Sequence, residues 1–331
     1  MRAFVVDHDA GVRDWPEPVA AAGEILVEPL LVGVCGTDLE IIDHTIDPAY
    51  VRHPLVIGHE WVGRLRESHA LGPAGTRVVV EGVLTCGRCP ECRRGDTNRC
   101  VVYDEIGFTR PGALADLVRV PAYAVHGLDE HVSDDDAVLV EPMAVVWRAL
   151  TRLAIPDGAR VAVVGDGTVA LLTAHLARRF APSRVVVVGR RSAQRDLALR
   201  AGADDFLITL PPETFDLVIE AAGVATAVSD ALSLAARGAQ VILLGLPAHG
   251  TTVPLAPDDL VNNDLILQGS FSYTRAAWAA VVELVNRGEL APGFLITHRF
   301  PLDDADDAVR ALRGPLGEAE PRGKVVVRVR D

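Results

Sequence analysis

A chain of 331 residues, 49% apolar and with a mean hydropathy of +0.24, is long enough for about two domains and for a large core, which excludes disorder. Its formal charge of −13 and pI near 5.2 argue against nucleic acid or an anionic membrane as partner. No run reaches the ~18 apolar residues of a membrane helix, and the start, Met1-Arg2-Ala3-Phe4-Val5-Val6-Asp7, turns acidic too soon for a signal peptide, so a cytoplasmic location is expected. Lys324 is the only lysine among 32 basic residues, which speaks against Schiff-base chemistry and against a phosphate-loop ATPase.

In the first half of the chain, one cysteine stands in Gly33-Val34-Cys35-Gly36-Thr37-Asp38-Leu39-Glu40. It is followed by Pro54-Leu55-Val56-Ile57-Gly58-His59-Glu60 and later by Leu139-Val140-Glu141-Pro142. Singly, each has a bland reading, since a lone Cys is most often a small buried apolar residue. Together, Cys35, His59, Glu60 and Glu141 supply a thiolate, an imidazole and two carboxylates, the ligand types of a catalytic zinc with room for water or substrate. Between them, Cys86, Cys89, Cys92 and Cys100 fall within fifteen residues as C-x2-C-x2-C-x7-C. Two-residue gaps let neighbouring thiolates converge on one tetrahedral ion, and Gly87, Pro90 and Gly95 supply turns. Four thiolates leave no open position, so this lobe is expected to hold a structural zinc; iron–sulfur spacings differ. Arg88, Arg93, Arg94 and Arg99 are expected to offset part of its negative charge. Ser133-Asp134-Asp135-Asp136 reads as a helix cap and an acidic first turn.

From residue 160, short apolar strands alternate with helix-like segments. Strands are predicted at 161–164, 185–188, 206–208, 217–220, 241–244 and 265–268. Near-continuous apolar runs suit parallel strands buried on both faces, and six of them make a doubly wound sheet. After the first strand comes Gly165-Asp166-Gly167-Thr168-Val169-Ala170, the G-x-G-x-x-G/A string, and then a helical run over 169–180. Gly165 permits the turn, Gly167 lets backbone approach a pyrophosphate, and the helix start at Thr168 and Val169 offers N–H groups to the anion. The second strand ends in Val188-Gly189-Arg190-Arg191-Ser192, without the acid that would bind a ribose 2′-hydroxyl. Arg190 and Arg191 suit a 2′-phosphate, so NADP is expected over NAD; the alternative is a solvated turn in an arginine-rich chain. Leu302 to Asp307 reads as the acidic start of the last helix.

These motifs, in this order and over essentially the whole chain, resemble the zinc-containing medium-chain dehydrogenase/reductase family of alcohol and polyol dehydrogenases. The resemblance implies an α/β protein: a GroES-like, β-rich catalytic domain over 1–146 with the zinc lobe at 86–100, a Rossmann nucleotide-binding domain over 147–282, and a C-terminal return to the catalytic domain over 283–331. It implies two zinc ions per chain. The catalytic ligands carry over onto Cys35, His59 and Glu141, while Glu60 binds zinc or sits just behind it. Asp38 would orient His59. Zinc would act as a Lewis acid on the substrate oxygen, with hydride passing to the nicotinamide and Thr37 relaying the proton. Relatives often carry a histidine three residues after that hydroxyl; here Glu40 takes its place, as a relay or as a group facing water.

Within the family, the motifs around Cys35, Glu141 and Arg190-Arg191 are most similar to those of glucose 1-dehydrogenases, which implies a sugar, polyol or cyclitol substrate. Glu105 falls where those enzymes place an acid against sugar hydroxyls, or else on a loop surface. An aminocyclitol or other specialised-metabolite dehydrogenase would look the same in sequence. A zinc-free enone reductase would lack Cys35, His59 and Glu141, and a non-catalytic NADP-binding protein would have no need of them. A homodimer or homotetramer is expected by analogy.

Overall fold

A computed structural model describes residues 1–314 and 320–330, which fall into two compact units. The first contains residues 1–144, 273–314 and 324–330. Its spine is the strand Glu24–Val34, whose apolar second half is buried on both faces. On one side it pairs antiparallel with Glu60–Leu65, Gly33 facing Glu60. On the other it pairs antiparallel with Lys324–Arg328, Val34 facing Val325. Cys35 and Lys324 are the next positions along those two strands, so β-pairing alone gathers Cys35, Glu60 and Lys324 from three distant stretches. Arg77–Val80, Val125–Gly127 and Ile296–Pro301 extend the sheet, and Val118–Pro121 pairs with the start of the spine. Phe4, Val27, Val32, Trp61, Val78 and Val325 are buried in its core, each such side chain stabilising the fold by about 1.5–3 kcal/mol relative to exposure.

The second unit contains residues 145–272 and 320–323. Its six strands are Arg160–Val164, Arg184–Val188, Asp205–Leu207, Phe215–Glu220, Ala235–Leu243 and Ile266–Gly269. All neighbours are parallel, and the spatial order is third, second, first, fourth, fifth, sixth. The order reverses between the first and fourth strands, whose carboxyl ends form the crevice where such sheets bind ligands. The predicted 169–180 helix is Thr168–Ala177, continued by a 3₁₀ turn, Arg178–Phe180.

Two boundaries differ from those expected. The first unit takes over again at 273, not at 283. The reason is the helix Arg275–Asn286: the Arg275 N–H donates to Thr97 at 2.9 Å, and Trp278 lies buried against the rings of Tyr273 and His126. The C-terminal return is not continuous either, because 320–323 belongs with the second unit and only 324–330 with the first. Ser133 does cap a short helix, Asp134–Ala137, its hydroxyl accepting from the Asp136 N–H at 3.1 Å. A 3₁₀ turn, Leu302–Asp304, leads into the helix Ala305–Arg313. Among the described residues no helix is long and apolar enough to cross a membrane.

Candidate functional site

Cys35 lies at the N-cap of the helix Gly36–Ile42, where the spine strand ends. Its N–H donates to Asp38 at 2.8 Å, and the other Asp38 oxygen lies 3.4 Å from Nδ1 of His59. One fully buried carboxylate thus accepts the cysteine N–H and lies beside the histidine ring. Donor atoms of Cys35, His59 and Glu60 lie within 4.8 Å of one another. Burial works against charge on His59, but Asp38 and then Cys35 hold its imidazole well above the ordinary range. The Thr37 hydroxyl is 3.8 Å from the Cys35 sulfur. Glu40 stands one turn further along the same helix, half-buried, and that burial raises its carboxyl.

Glu141, near the start of the helix Val140–Thr151, does not join that close trio, yet it shares its surroundings. Burial pushes its carboxyl up to about 8; the Glu60 and Glu105 charges add to the effect, and His59 and Lys324 oppose it. A soft thiolate, an imidazole and buried carboxylates fit a zinc ion by donor chemistry. Glu105 is 7% exposed, which corrects the loop-surface alternative. Tyr103 donates its hydroxyl proton to it, and burial raises its carboxyl although Tyr103 and His59 draw it down.

Two residues of this region escaped the sequence reading. The Tyr273 oxygen, fully buried, accepts N–H groups from Gly82 at 2.8 Å and Val83 at 3.2 Å; burial, then Glu141 and Glu105, keep its proton on. Lys324, set aside as a catalytic lysine, is 2% exposed and ion-paired with Glu60, itself 2% exposed. Burial lowers the Lys324 ammonium, but Glu60 and then Cys35 raise it above the usual range. Gly33 makes room for the pair: a Cβ there would lie 2.6 Å from Cε of Lys324 and 3.2 Å from Cβ of Glu60. The available signal was compositional, one lysine kept in a chain that otherwise uses arginine.

The sulfurs of Cys86, Cys89, Cys92 and Cys100 also lie within 4.8 Å of one another, and none is in a disulfide. Backbone N–H groups of Arg88 and Cys89 lower the Cys86 thiol to about 6, whereas burial raises Cys92 to about 12. A tetrahedral dication suits four such sulfurs in a closed set. The expected charge offset is corrected in part: Arg94 bonds Glu91 at 3.0 Å, and Arg99 pairs with Asp96. Those guanidiniums are committed to carboxylates of the lobe.

In the second unit, Gly165 adopts φ +131° and Gly167 caps the helix Thr168–Ala177, where a Cβ would meet nothing within 4 Å. That open cradle over free N–H groups fits a dinucleotide diphosphate. After the second strand, Arg190 is exposed, but Arg191 is not a free cation. Asp166, inside the glycine string, accepts the Arg190 and Arg191 N–H groups, both at 2.9 Å, and the Arg191 guanidinium at 2.7 and 3.2 Å. Burial works against the Asp166 charge, but these bonds hold its carboxyl below the usual range. Of the two guanidiniums expected to suit a 2′-phosphate, that of Arg191 is engaged by Asp166 and Arg190 is exposed.

Comparison with known proteins agrees with both units. A family model described as alcohol dehydrogenase GroES-like domain matches residues 21–130, and one described as zinc-binding dehydrogenase matches 167–287. The L-threonine 3-dehydrogenase of Aeromonas hydrophila subsp. hydrophila is 28% identical, the match covering 96% of this chain and 95% of that protein. Among solved structures, a candidate zinc-binding dehydrogenase from Sinorhizobium meliloti 1021, bound to NADP, is 28% identical and superposes with a TM-score of 0.88 over 99% of each chain. Galactitol-1-phosphate dehydrogenase from Escherichia coli is 26% identical, with a TM-score of 0.85 over 99% of this chain and 100% of that one.

Proposed function

Because the chain belongs to the zinc-containing medium-chain dehydrogenase/reductase family, we propose that it interconverts the secondary alcohol of a sugar, polyol or cyclitol with its carbonyl, using NADP. The observation that carries this reading is the convergence of Cys35, His59 and Glu60 beside the buried Glu141 carboxyl. Cys35, His59 and Glu141 would hold the catalytic zinc, with Glu60, already paired with Lys324, close to the first two. Cys86, Cys89, Cys92 and Cys100 hold the structural one. When bound, zinc supplies Lewis-acid polarisation of the substrate oxygen and NADP supplies the hydride carrier. Thr37 holds the substrate proton at its hydroxyl, and Glu40, raised by burial, is a suitable acceptor one turn on. Glu105, braced by Tyr103, offers a buried carboxylate to a further hydroxyl, which favours a polyhydroxylated substrate over a simple alcohol. The likeness to a galactitol-1-phosphate dehydrogenase supports a polyol and the glucose-dehydrogenase-like motifs an aldose; the likeness to L-threonine 3-dehydrogenases favours, as a second reading, an alcohol with a neighbouring amine, aminocyclitols included. The protein acts in the cytoplasm on a small molecule, as a homodimer or homotetramer.

Initial rates with NADP and NAD against aldoses, polyols, amino alcohols and simple secondary alcohols test the proposal. Turnover on the polyhydroxylated members supports it, and turnover confined to amino alcohols transfers it to the second reading. Activity on simple alcohols alone would overturn the assignment of Glu105. NADP is expected to exceed NAD by at least about tenfold in kcat/KM, a difference of about 1.4 kcal/mol; equal values would remove the 2′-phosphate reading. For the lobe, Cys89→Ser is expected to reduce zinc content from about two ions per chain to one and to lower Tm by about 5–10 °C. Elemental analysis and a thermal melt check it, and unchanged metal content would refute the site.

A further inference from the structure

We infer that Glu220 is a positioning residue for the dinucleotide: at the floor of the crevice it locks the turns after the first, fourth and fifth strands of the parallel sheet into one surface. The inference rests on the reading of this unit as a dinucleotide site, not on the choice between NADP and NAD. Glu220 ends the fourth strand, in register with Val164 on the first and Leu243 on the fifth, and it is fully buried. Its side chain turns back onto the loop that follows. One carboxylate oxygen accepts the N–H groups of Ala222 and Gly223, both at 2.8 Å. Its main-chain carbonyl accepts those of Leu244 at 2.8 Å and Gly245 at 3.1 Å, in the turn after the fifth strand.

Three glycines let these turns close on one another. A Cβ on Gly165, at φ +131°, would lie 3.0 Å from both the carbonyl carbon of Ala221 and the nitrogen of Ala222. One on Gly245 would lie 2.5 Å from the second Glu220 oxygen and would strike the Gly223 nitrogen, and one on Gly223, at φ +69°, would lie 3.0 Å from the Leu246 carbonyl oxygen. The first glycine of the string that approaches the diphosphate is therefore seated directly on the loop that Glu220 holds. Among the described residues no cation pairs with this carboxylate; burial raises it, and only backbone N–H groups draw it down. Those groups offset the buried charge only while residues 221–223 keep this conformation, so opening the loop would strand the carboxylate. The strand order reverses between the first strand and the fourth, and the two halves of a dinucleotide part there. The adenosine half belongs beyond the second strand, and the nicotinamide half beyond the fourth and fifth, over the turns that Glu220 locks.

Calorimetric titration of the intact protein with NADP and NAD, and with 2′,5′-ADP and 5′-AMP, which lack the nicotinamide half, tests the assignment. E220A is expected to weaken the better-bound dinucleotide by about tenfold, or about 1.4 kcal/mol, the scale of a loop left for the ligand to order. The matching adenosine fragment is expected to stay within about twofold. E220Q, whose amide oxygen can accept the same two N–H groups, is expected to remain within about threefold of the wild type for both. Should E220A fail to fold, E220D, one methylene shorter, carries the same expectation. A wild type that binds neither dinucleotide overturns the reading of the unit and this inference with it. A wild type that binds, beside an E220A of lower Tm but unchanged dinucleotide affinity, marks a structural residue and overturns the role of Glu220 alone. Equal weakening of dinucleotide and fragment overturns it too, as does an E220Q as weak as E220A.

Discussion

Cys35→Ser is expected to lower turnover by at least about a thousandfold, some 4 kcal/mol of transition-state stabilisation, while dinucleotide affinity stays within about twofold. The serine hydroxyl would need deprotonation far from its ordinary range to replace a thiolate, so the catalytic metal is lost or poorly held. The residues proposed for the dinucleotide lie in the other unit, just beyond strands of the parallel sheet, and do not include Cys35. Elemental analysis should find about one zinc per chain in place of two, the lobe being intact. Full turnover in this variant would defeat the zinc mechanism, and loss of both zincs would show the two sites to be interdependent.

The second large effect concerns Lys324. Removing the ammonium in Lys324→Met leaves the Glu60 carboxylate buried without its cation. Breaking a buried pair from one side costs about 3–5 kcal/mol, so a drop in Tm of about 10 °C is expected in the metal-free chain. Adding Glu60→Gln removes the stranded charge and is expected to recover at least half of the loss. The double-mutant cycle is the decisive readout: additive losses would mean that the pair does not couple. Zinc should soften the single-variant defect, because a dication beside Glu60 supplies part of the missing positive charge.

The parallel sheet was legible because its strands are apolar on both faces and punctuated by glycine and charge. Five of the six predicted strands coincide with observed ones to within two residues at each end, and the Ala235–Leu243 strand begins six residues earlier than expected. That early start reads Ala235-Ala236-Arg237-Gly238-Ala239 and carries no apolar run. The catalytic unit yielded motifs rather than strands. Its sheet joins residues as many as 297 positions apart, as in the pairing of Leu31 with Arg328, and such registers leave no local period. The cysteine lobe and the set of Cys35, His59 and Glu60 stood out because their residue types are chemically distinctive. Lys324, Tyr273 and Glu220 did not, since each gains its meaning from what the fold packs against it. Arg191 shows the converse: its type was informative, but the acid that engages it sits in a variable position of the glycine string, twenty-five residues earlier.

The chain offers amine chemistry a single lysine target, and Glu60 keeps that target closed. An acylating reagent therefore meets no competing ε-amine on the surface, and modification at Lys324 has to wait for this part of the sheet to open. The rate of that modification, followed by mass spectrometry, becomes a clock for local unfolding beside the candidate zinc site. Bound zinc or a bound substrate should slow the clock to the extent that either holds the sheet end shut, giving a ligand assay that needs no turnover.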